Sequence, residues 1–356
     1  MLTGNRGEWS EVYAFLRILS DGEIRPADAN LDELCEEPSI PVIKIVREEK
    51  NSPRINYYVG SIVHADLDDG TRVLEITNDE VAEEADILYS EIIASGHARG
   101  AFAIPSTERF MDKLELHALK APSVDKSDIV LQIHDAHTGF DPICGWSIKS
   151  ELGNPPTLLN AGMSTNFTFR LNRCTCEIME NANSINTATK LKDRISLLLH
   201  ECEFEFECAA HEVFDRNMRL IDSLLPSLMA EALLRYYSGD DNACAKIVSD
   251  MESEDALRLG RGMYEYKFKK FLCAAALGMT PAREWNGRDD ATGGYVIVRE
   301  DGNVLAFHIY NRDMFEDYLI DNTKFETASS SRHGFGTVFE REGSYFINLN
   351  LQIRFK

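Results

Sequence analysis

Asp128, Ser147 and Lys149 fall in a stretch whose pattern reads as a β-hairpin. Ile129, Leu131 and Ile133 alternate with Val130, Gln132 and His134, the period-two pattern of a half-buried strand. The HTGFDP that follows supplies Gly and Pro for a turn. In the return strand residues i and i+2 share a face, so Ser147 and Lys149 point together while Trp146 and Ile148 point the other way. An aspartate opening one strand thus faces a lysine near the end of its partner. Such a pair can hold a divalent cation and a water over a phosphodiester, the ammonium steadying the charge that develops.

Other carboxylates compete for the same work. Asp141 is the rival to Asp128, but it lies in the turn, and a metal ligand needs rigid support. Asp128 is therefore the favoured ligand. Residues 6–20 read as an amphipathic helix, with Trp9, Val12, Tyr13, Leu16 and Leu19 at helical spacing. Glu8 and Glu11 share a face of it, which by spacing alone describes a solvated or capping pair. Glu151 stands two residues past Lys149.

The hairpin resembles the nuclease motif written PD-(D/E)XK, with Asp128 as the aspartate, Lys149 as the lysine and Ser147 where the second acid should stand. Three further segments carry a more specific likeness: GNRGEWSEVY at 4–13, GWSIKSELGNPPTLLNAGMSTNF at 145–167, and SSRHGFG with LNLQIRF near the end. Together they resemble the HpaII-type type II restriction endonucleases over most of the chain. The resemblance implies an α/β (α+β) restriction-endonuclease-like core and Mg²⁺-dependent cleavage of duplex DNA at a short palindrome. CCGG is the site it suggests, with 5′-phosphate products.

It also implies that the N-terminal helix lends a carboxylate, from Glu11 or Glu8, to a metal held by Asp128 and the Ile148 carbonyl. Lys149 would orient the attacking water. Because Ser147 replaces the second acid, Glu11 is expected to supply it, ahead of Glu151. A homodimer is expected because a palindrome presents two equivalent strands. A cognate DNA methyltransferase would be the functional partner.

Sequence readout needs donors in the major groove, where Arg is the commonest partner of guanine. In SSSRHGFG, Ser331, Arg332 and His333 have that character, although a surface turn has the same composition. Asn160, Thr165 and Asn166, in the loop after the hairpin, are read equally well as DNA contacts or as turn residues.

The 356 residues suffice for one large or two ordinary domains. A formal charge of −22 argues against a general DNA-coating protein, since non-specific affinity comes chiefly from Lys and Arg. The acids cluster at 79–91 and 201–212, whereas 257–283 carries six basic residues against one acid, with Tyr264, Tyr266 and Phe268 interleaved. Eight scattered cysteines and no apolar run of membrane length lead to the expectation of a reduced, cytoplasmic chain. Cys174, Cys176, His200, Cys202, Cys208 and His211 lack the paired C-x₂₋₄-C spacing of structural zinc sites. His134 and His137 near the turn are expected to be structural or to touch DNA.

Along the chain, four β-rich runs between 22 and 76 precede helices at 79–95 and 106–117. A Pro-Ser pair at 122–123 then leads into the hairpin. Helices dominate 188–278, and β patterns return from 293. The expected layout is a nuclease core at 1–187, a helical section at 188–285, and a β-rich lobe at 286–356 that contacts DNA. Two other readings share these residues: a repair or junction nuclease of the same fold, and a DNA-binding protein whose site is dead for want of the second acid.

Overall fold

The computed structural model describes residues 1–50, 52–96, 100–120, 127–239 and 241–356. The 122–123 pair thus lies outside the described residues. The fold is mixed α/β, and the chain divides into two compact units, each assembled from two separate stretches.

The first unit comprises 1–156 and 289–318. It opens with α1 (Arg6–Asp21), followed by β1 (Glu23–Pro26), β2 (Ile40–Arg47), β3 (Ile55–Tyr58), β4 (Ile62–Leu67) and β5 (Arg72–Thr77). Then come α2 (Asn78–Ala94), α3 (Pro105–Lys113), and the hairpin β6 (Ile129–Ile133) and β7 (Ile143–Ser150). The second unit, 157–288 and 319–356, begins with β8 (Thr157–Leu159), β9 (Asn166–Asn172), α4 (Cys176–Ser184), α5 (Lys190–Glu201) and β10 (Glu203–Ala209). It continues with α6 (Glu212–Ile221), α7 (Leu225–Ser238), α8 (Cys244–Glu254) and α9 (Met263–Leu277). The chain then returns to the first unit for β11 (Gly294–Val298), β12 (Val304–His308) and the start of α10 (Arg312–Asn322). It ends in the second with β13 (Thr323–Phe325), α11 (Ser330–His333), β14 (Val338–Arg341), β15 (Ser344–Asn350) and β16 (Ile353–Phe355).

A nine-stranded sheet organises the first unit, in the order β1-β12-β11-β7-β6-β2-β3-β4-β5. The pairings β11–β7 and β1–β12 are parallel and the rest antiparallel. The hairpin thus lies inside the sheet with neighbours on both sides, which fixes its register more firmly than an edge would. Residues 286–356 do not form a separate lobe: β11 and β12 join this sheet, while β14 and β15 belong to a four-stranded sheet, β10-β9-β15-β14, in the second unit. A small sheet β13-β16-β8 completes that unit.

Several expectations change in detail. The 106–117 helix stops at Lys113, and Glu115 takes a positive φ of 57° just beyond it. EFEFECA forms β10 inside the stretch expected to be helical, its glutamates exposed and its phenylalanines half-buried. That alternation is the strand period.

Trp9, Leu16 and Leu19 on α1 pack with Leu131, Trp146 and Ile148 from the hairpin and Val296 from β11, all in one core. Gly294, where β11 begins beside Trp146, has φ +132°, and a Cβ there would sit 2.0 Å from the Phe307 carbonyl oxygen and 3.1 Å from the Trp146 ring. No rotamer relieves a clash with backbone. Gly294→Ala should lower the unfolding free energy by about 3 kcal/mol or more, read as the midpoint of a urea melt followed by tryptophan fluorescence. An unchanged midpoint would contradict this packing.

Candidate active site

β6 and β7 pair with Ile129 opposite Trp146, and the Asp128 N–H donates to the Trp146 carbonyl at 2.8 Å. Continuing that register sets Asp128 across from Ser147. One carboxylate oxygen, Oδ2, accepts from the Ile148 N–H at 2.7 Å and from the Ser147 hydroxyl at 3.2 Å. Ser147 therefore uses its hydroxyl to orient Asp128, and the aspartate is held by the strand that carries the lysine. Lys149 Nζ donates to the Ile148 carbonyl at 3.2 Å, which places its ammonium beside the same turn of strand.

The spacing of Glu8 and Glu11 left their roles open, and the structure separates them. Glu8 closes a capping box: its side chain accepts from the Asn5 N–H at 2.8 Å while Asn5 accepts from the Glu8 N–H at 3.1 Å. Glu11, one turn on, lines a cleft of about 720 Å³ together with Asp128. Burial, and after it the negative charge of Asp128, push the Glu11 carboxyl up to about 7. Lys120 and Lys149 pull it part of the way back. Lys120, unremarked in the sequence, lies 3.4 Å from Glu8 and 3.8 Å from Glu11.

What brings α1 to this position is visible at its flanks. Arg6 donates to the Leu152 carbonyl at 2.9 Å, and the hydroxyls of Ser10 and Ser150 are 2.9 Å apart. Each serine neighbours a site residue, Glu11 in one case and Lys149 in the other. Trp9 Nε1 donates to the Phe102 carbonyl, and the Tyr13 hydroxyl to that of Gly302. The parallel neighbour β11 sets Tyr295 against Ser147 and Ile297 against Lys149. Tyr295 is fully buried, and its hydroxyl has no hydrogen-bond partner among the described residues.

The remaining candidates lie elsewhere. Asp141 is exposed in the turn and bonded to His134 at 2.8 Å. His137 packs on the Tyr310 ring, 4.8 Å between centroids. Asp135 between them accepts from the Tyr310 and Thr138 hydroxyls, which hold its carboxyl well below the usual range. Glu151 is half-buried, and burial raises its carboxyl; its charged neighbours are Glu300, Arg299 and Asp301. Among the described residues no group of three or more His, Cys, Asp or Glu side chains is placed to hold a metal ion.

In the second unit Asn160 is exposed. Thr165 and Asn166 are buried within a polar network. The Asn350 amide donates to the Gly162 carbonyl and to Asn166 Oδ1, each at 2.7 Å, and Asn166 in turn donates to the His333 carbonyl at 2.8 Å. Thr165 and Asn166 thus brace the loop at 329–336 from behind. Its Ser331 and Arg332 are exposed and His333 half-buried, and the Arg332 guanidinium has no partner among the described residues. Arg194 supports the same loop by donating to the Gly336 carbonyl at 2.6 Å.

Two carboxylates from different elements, an ammonium and a backbone carbonyl gathered at one strand end suit a hydrolase that works on phosphate esters. The family model for HpaII restriction endonucleases matches residues 5–355. The type II restriction enzyme HpaII of Haemophilus parainfluenzae is 41% identical over 367 residues, covering 99% of this chain and 98% of that enzyme. No solved structure matches the chain. The chain belongs to the HpaII restriction endonuclease family and is a type II restriction endonuclease, a site-specific deoxyribonuclease.

The raised Glu11 carboxyl has a thermodynamic sign. A carboxyl whose pKa rises on folding stabilises the fold below its unfolded value of 4.5 and loses that contribution as pH climbs through about 7. In chelator-treated protein, Glu11→Gln should therefore stabilise the fold at pH 8 by roughly 2–3 kcal/mol, and by little at pH 5. A variant no more stable than the parent at pH 8 would remove Glu11 from the buried site.

Proposed function

We propose that the chain makes Mg²⁺-dependent double-strand cuts in DNA at a short palindrome, CCGG, through a PD-(D/E)XK site built from Asp128, Glu11 and Lys149, and leaves 5′-phosphates. The observation that carries this reading is the convergence of Asp128 and Glu11, from a strand and a helix, beside Lys149. The donor set fits the cation. Mg²⁺ prefers oxygen, keeps several waters, and is commonly bound through one or two carboxylates plus substrate phosphate. Asp128, Glu11 and the Ile148 carbonyl would supply the protein oxygens, while Ser147 contributes only through Asp128.

When bound, the cation supplies a water of lowered pKa and neutralises charge on the leaving oxygen. The chain's own groups do the rest. Asp128 is held by the Ile148 N–H and the Ser147 hydroxyl on one oxygen, and among the described residues Oδ1 has no hydrogen-bond partner and would serve a ligand. Lys149 Nζ, held on the Ile148 carbonyl, would orient the attacking water. Glu11, deprotonated above about pH 7, would complete the charge balance. Arg332, with Ser331 and His333, is proposed to read base edges, and Asn160 to contact the DNA. Under this reading Thr165 and Asn166 act by bracing the loop.

A homodimer on the palindrome would cut both strands, and a cognate DNA methyltransferase would protect the host's own sites. We place the work in the cytoplasm, where that DNA lies, with the nuclease chemistry in the first unit and the base-reading contacts in the loop at 329–336.

Incubation with unmethylated plasmid and Mg²⁺, followed by sequencing of the ends, tests the activity and the site at once. Asp128→Asn and Lys149→Ala should each abolish cleavage, with a loss on the order of 10²-fold or more, while specific binding measured in Ca²⁺ stays largely intact. Full cutting by Lys149→Ala would end the assignment to this hairpin.

Methylation provides a separate check. A methyl on cytosine C5 or N4 projects into the major groove, where one disrupted base interaction costs about 1–3 kcal/mol per site position. Cutting of CCGG duplexes should fall steeply when the inner cytosines are methylated, and Arg332→Ala should erode discrimination among neighbouring sequences more than it weakens overall binding. Equal cutting of methylated and unmethylated CCGG would remove this readout. Ends at another sequence would keep the nuclease and discard CCGG.

A further inference from the structure

The loop at 329–336 projects in its first half and is fastened in its second. Arg332 sits in α11, a single helical turn closed by the Gly334 N–H on the Ser330 carbonyl. From the next residue on, bonds from outside the loop take over. The His333 carbonyl accepts from Asn166 at 2.8 Å, and the Gly334 carbonyl accepts from Asn348 at 3.4 Å. The Gly336 N–H donates to the Asn348 carbonyl at 2.8 Å, and the Gly336 carbonyl accepts from Arg194 at 2.6 Å. Gly336 has φ +76°, and a Cβ there would lie 2.6 Å from Leu191 Cδ1, so α5 presses directly on the end of the loop.

Arg194, on α5, does more than one of these supports. Its Nε and Nη2 donate to the Ile185 carbonyl at 3.3 and 2.9 Å, and Nη2 also donates to the Asn183 carbonyl at 3.0 Å. Nη1 takes the Gly336 carbonyl and, at 3.5 Å, the Thr337 hydroxyl. Asn183 and Ile185 stand at the end of α4, where carbonyls have no partner within the helix. One guanidinium therefore ties the end of a helix to the end of the loop. Asn183 repeats the tie: its Nδ2 donates to the Val338 carbonyl and its Oδ1 accepts from the Val338 N–H, each at 2.9 Å. Acceptors that diverge from two chain segments suit a planar fork with donors on three nitrogens, whereas an ammonium has its donors on one.

We propose that Arg194, together with Asn183, is a specificity-determining positioning residue: it touches no DNA, and it fixes the loop so that Arg332 meets base edges at one angle. The physical reason lies in what base reading demands. An arginine contact to guanine is a two-point contact with defined geometry, and a loop ordered in advance loses no freedom when it binds. The fastened stretch begins one residue after Arg332, so a shift at Gly336 or Val338 passes straight to the reading side chain. A loop without the clip would still bring a guanidinium to the duplex, but would meet correct and incorrect bases with similar energies. This inference rests on the loop at 329–336 reading bases and names what holds that reading in place.

The test compares discrimination with non-specific binding. Values of kcat/KM for the full-length parent, Arg194→Gln, Arg194→Lys, Asn183→Ala and Arg332→Ala are measured in Mg²⁺. The substrates are a duplex carrying the site that the parent cuts and duplexes changed at one base pair. Binding to a duplex lacking the site is titrated in Ca²⁺ from about 50 to 200 mM KCl. Arg194→Gln should lower discrimination against one-base changes by on the order of 10-fold, Asn183→Ala in the same direction, and Arg194→Lys by less. The salt slope of non-specific binding should stay at the parent's, because no phosphate contact is lost. A slope flatter by about 0.9 would mean that Arg194 itself holds a phosphate and would overturn the proposal. So would discrimination equal to the parent's, whether or not the melting midpoint falls, since a purely structural side chain lowers the midpoint alone. Should Arg194→Gln not fold, Arg194→Lys and Asn183→Ala decide by the same criterion. Arg332→Ala separates the two levels. If it loses discrimination while the Arg194 variants keep theirs, only the clip fails; if it discriminates like the parent, the loop is not the reader and both readings fall.

Discussion

The site depends on holding one carboxylate, Glu11, out of water and next to another, Asp128. Left to itself that pair would separate or take up a proton, since burial and like charge both disfavour ionisation. What prevents separation is α1. Its apolar face buries Trp9, Leu16 and Leu19, each worth about 1.5–3 kcal/mol in area removed from water. Polar fasteners then fix its angle: the Asn5–Glu8 capping box at one end, Arg6 to Leu152, and the Ser10–Ser150 hydroxyl pair. Hydrophobic packing provides the energy and the hydrogen bonds provide the register. The cost is a carboxyl pushed from 4.5 up to about 7, and a positively charged ligand is the natural way to recover it.

The sheet solves the complementary problem for Lys149. A lysine near the end of an edge strand would move with every slip of pairing, but β7 is flanked by antiparallel β6 and by parallel β11. The latter comes from residues 294–298, far along the chain. Entry of β11 is tight: Gly294 passes where the Phe307 carbonyl and Trp146 leave no room for a side chain. A long excursion through the second unit thus returns to clamp the strand that carries the catalytic candidates.

Much of this was legible in the sequence, and what was not has identifiable causes. The period-two run at 129–133 marked the strand that Asp128 opens and the hairpin it forms, and the observed register sets Asp128 against Ser147, two residues short of the lysine the sequence had it face. The runs at 40–47, 55–58, 62–67 and 72–77 became strands, and α1 and α2 became helices, for the same local reasons. The parallel neighbour of β7 was invisible, since nothing in GYVIV says which strand it will join. Separating Glu8 from Glu11 was within reach: N-x-x-E at Asn5–Glu8 is a capping-box signature, and assigning Glu8 to the cap leaves Glu11 for the cleft. The alternation in EFEFECA is equally readable, although helical segments surround it on both sides. Thr165 and Asn166, read equally well as DNA contacts or turn residues, are buried in a network that holds the 329–336 loop, since polar residues brace a loop as readily as they touch a ligand. Basic residues in 257–283 mislead in bulk, because a partner such as Asp222 for Lys267 lies far away in sequence.

Ser147 at the place of the second acid makes electrostatic sense beside a helix that brings its own carboxylate. An aspartate or glutamate there would add a third negative charge close to Asp128, and Glu11, already displaced to about 7, would be driven higher and remain protonated at neutral pH. A serine keeps the steric place and donates to Asp128 instead of repelling it. Two carboxylates, Asp128 and Glu11, then stand near Lys149 with Lys120 beside Glu11, and on the proposed reading a single divalent cation and a phosphate would leave no large uncompensated charge. With Glu11 as the proposed second acid, the point of failure shifts from strand to helix. The geometry that matters is no longer two positions on one rigid strand but the angle between α1 and β7, which is why so many of the bonds at this end of the first unit are devoted to that angle.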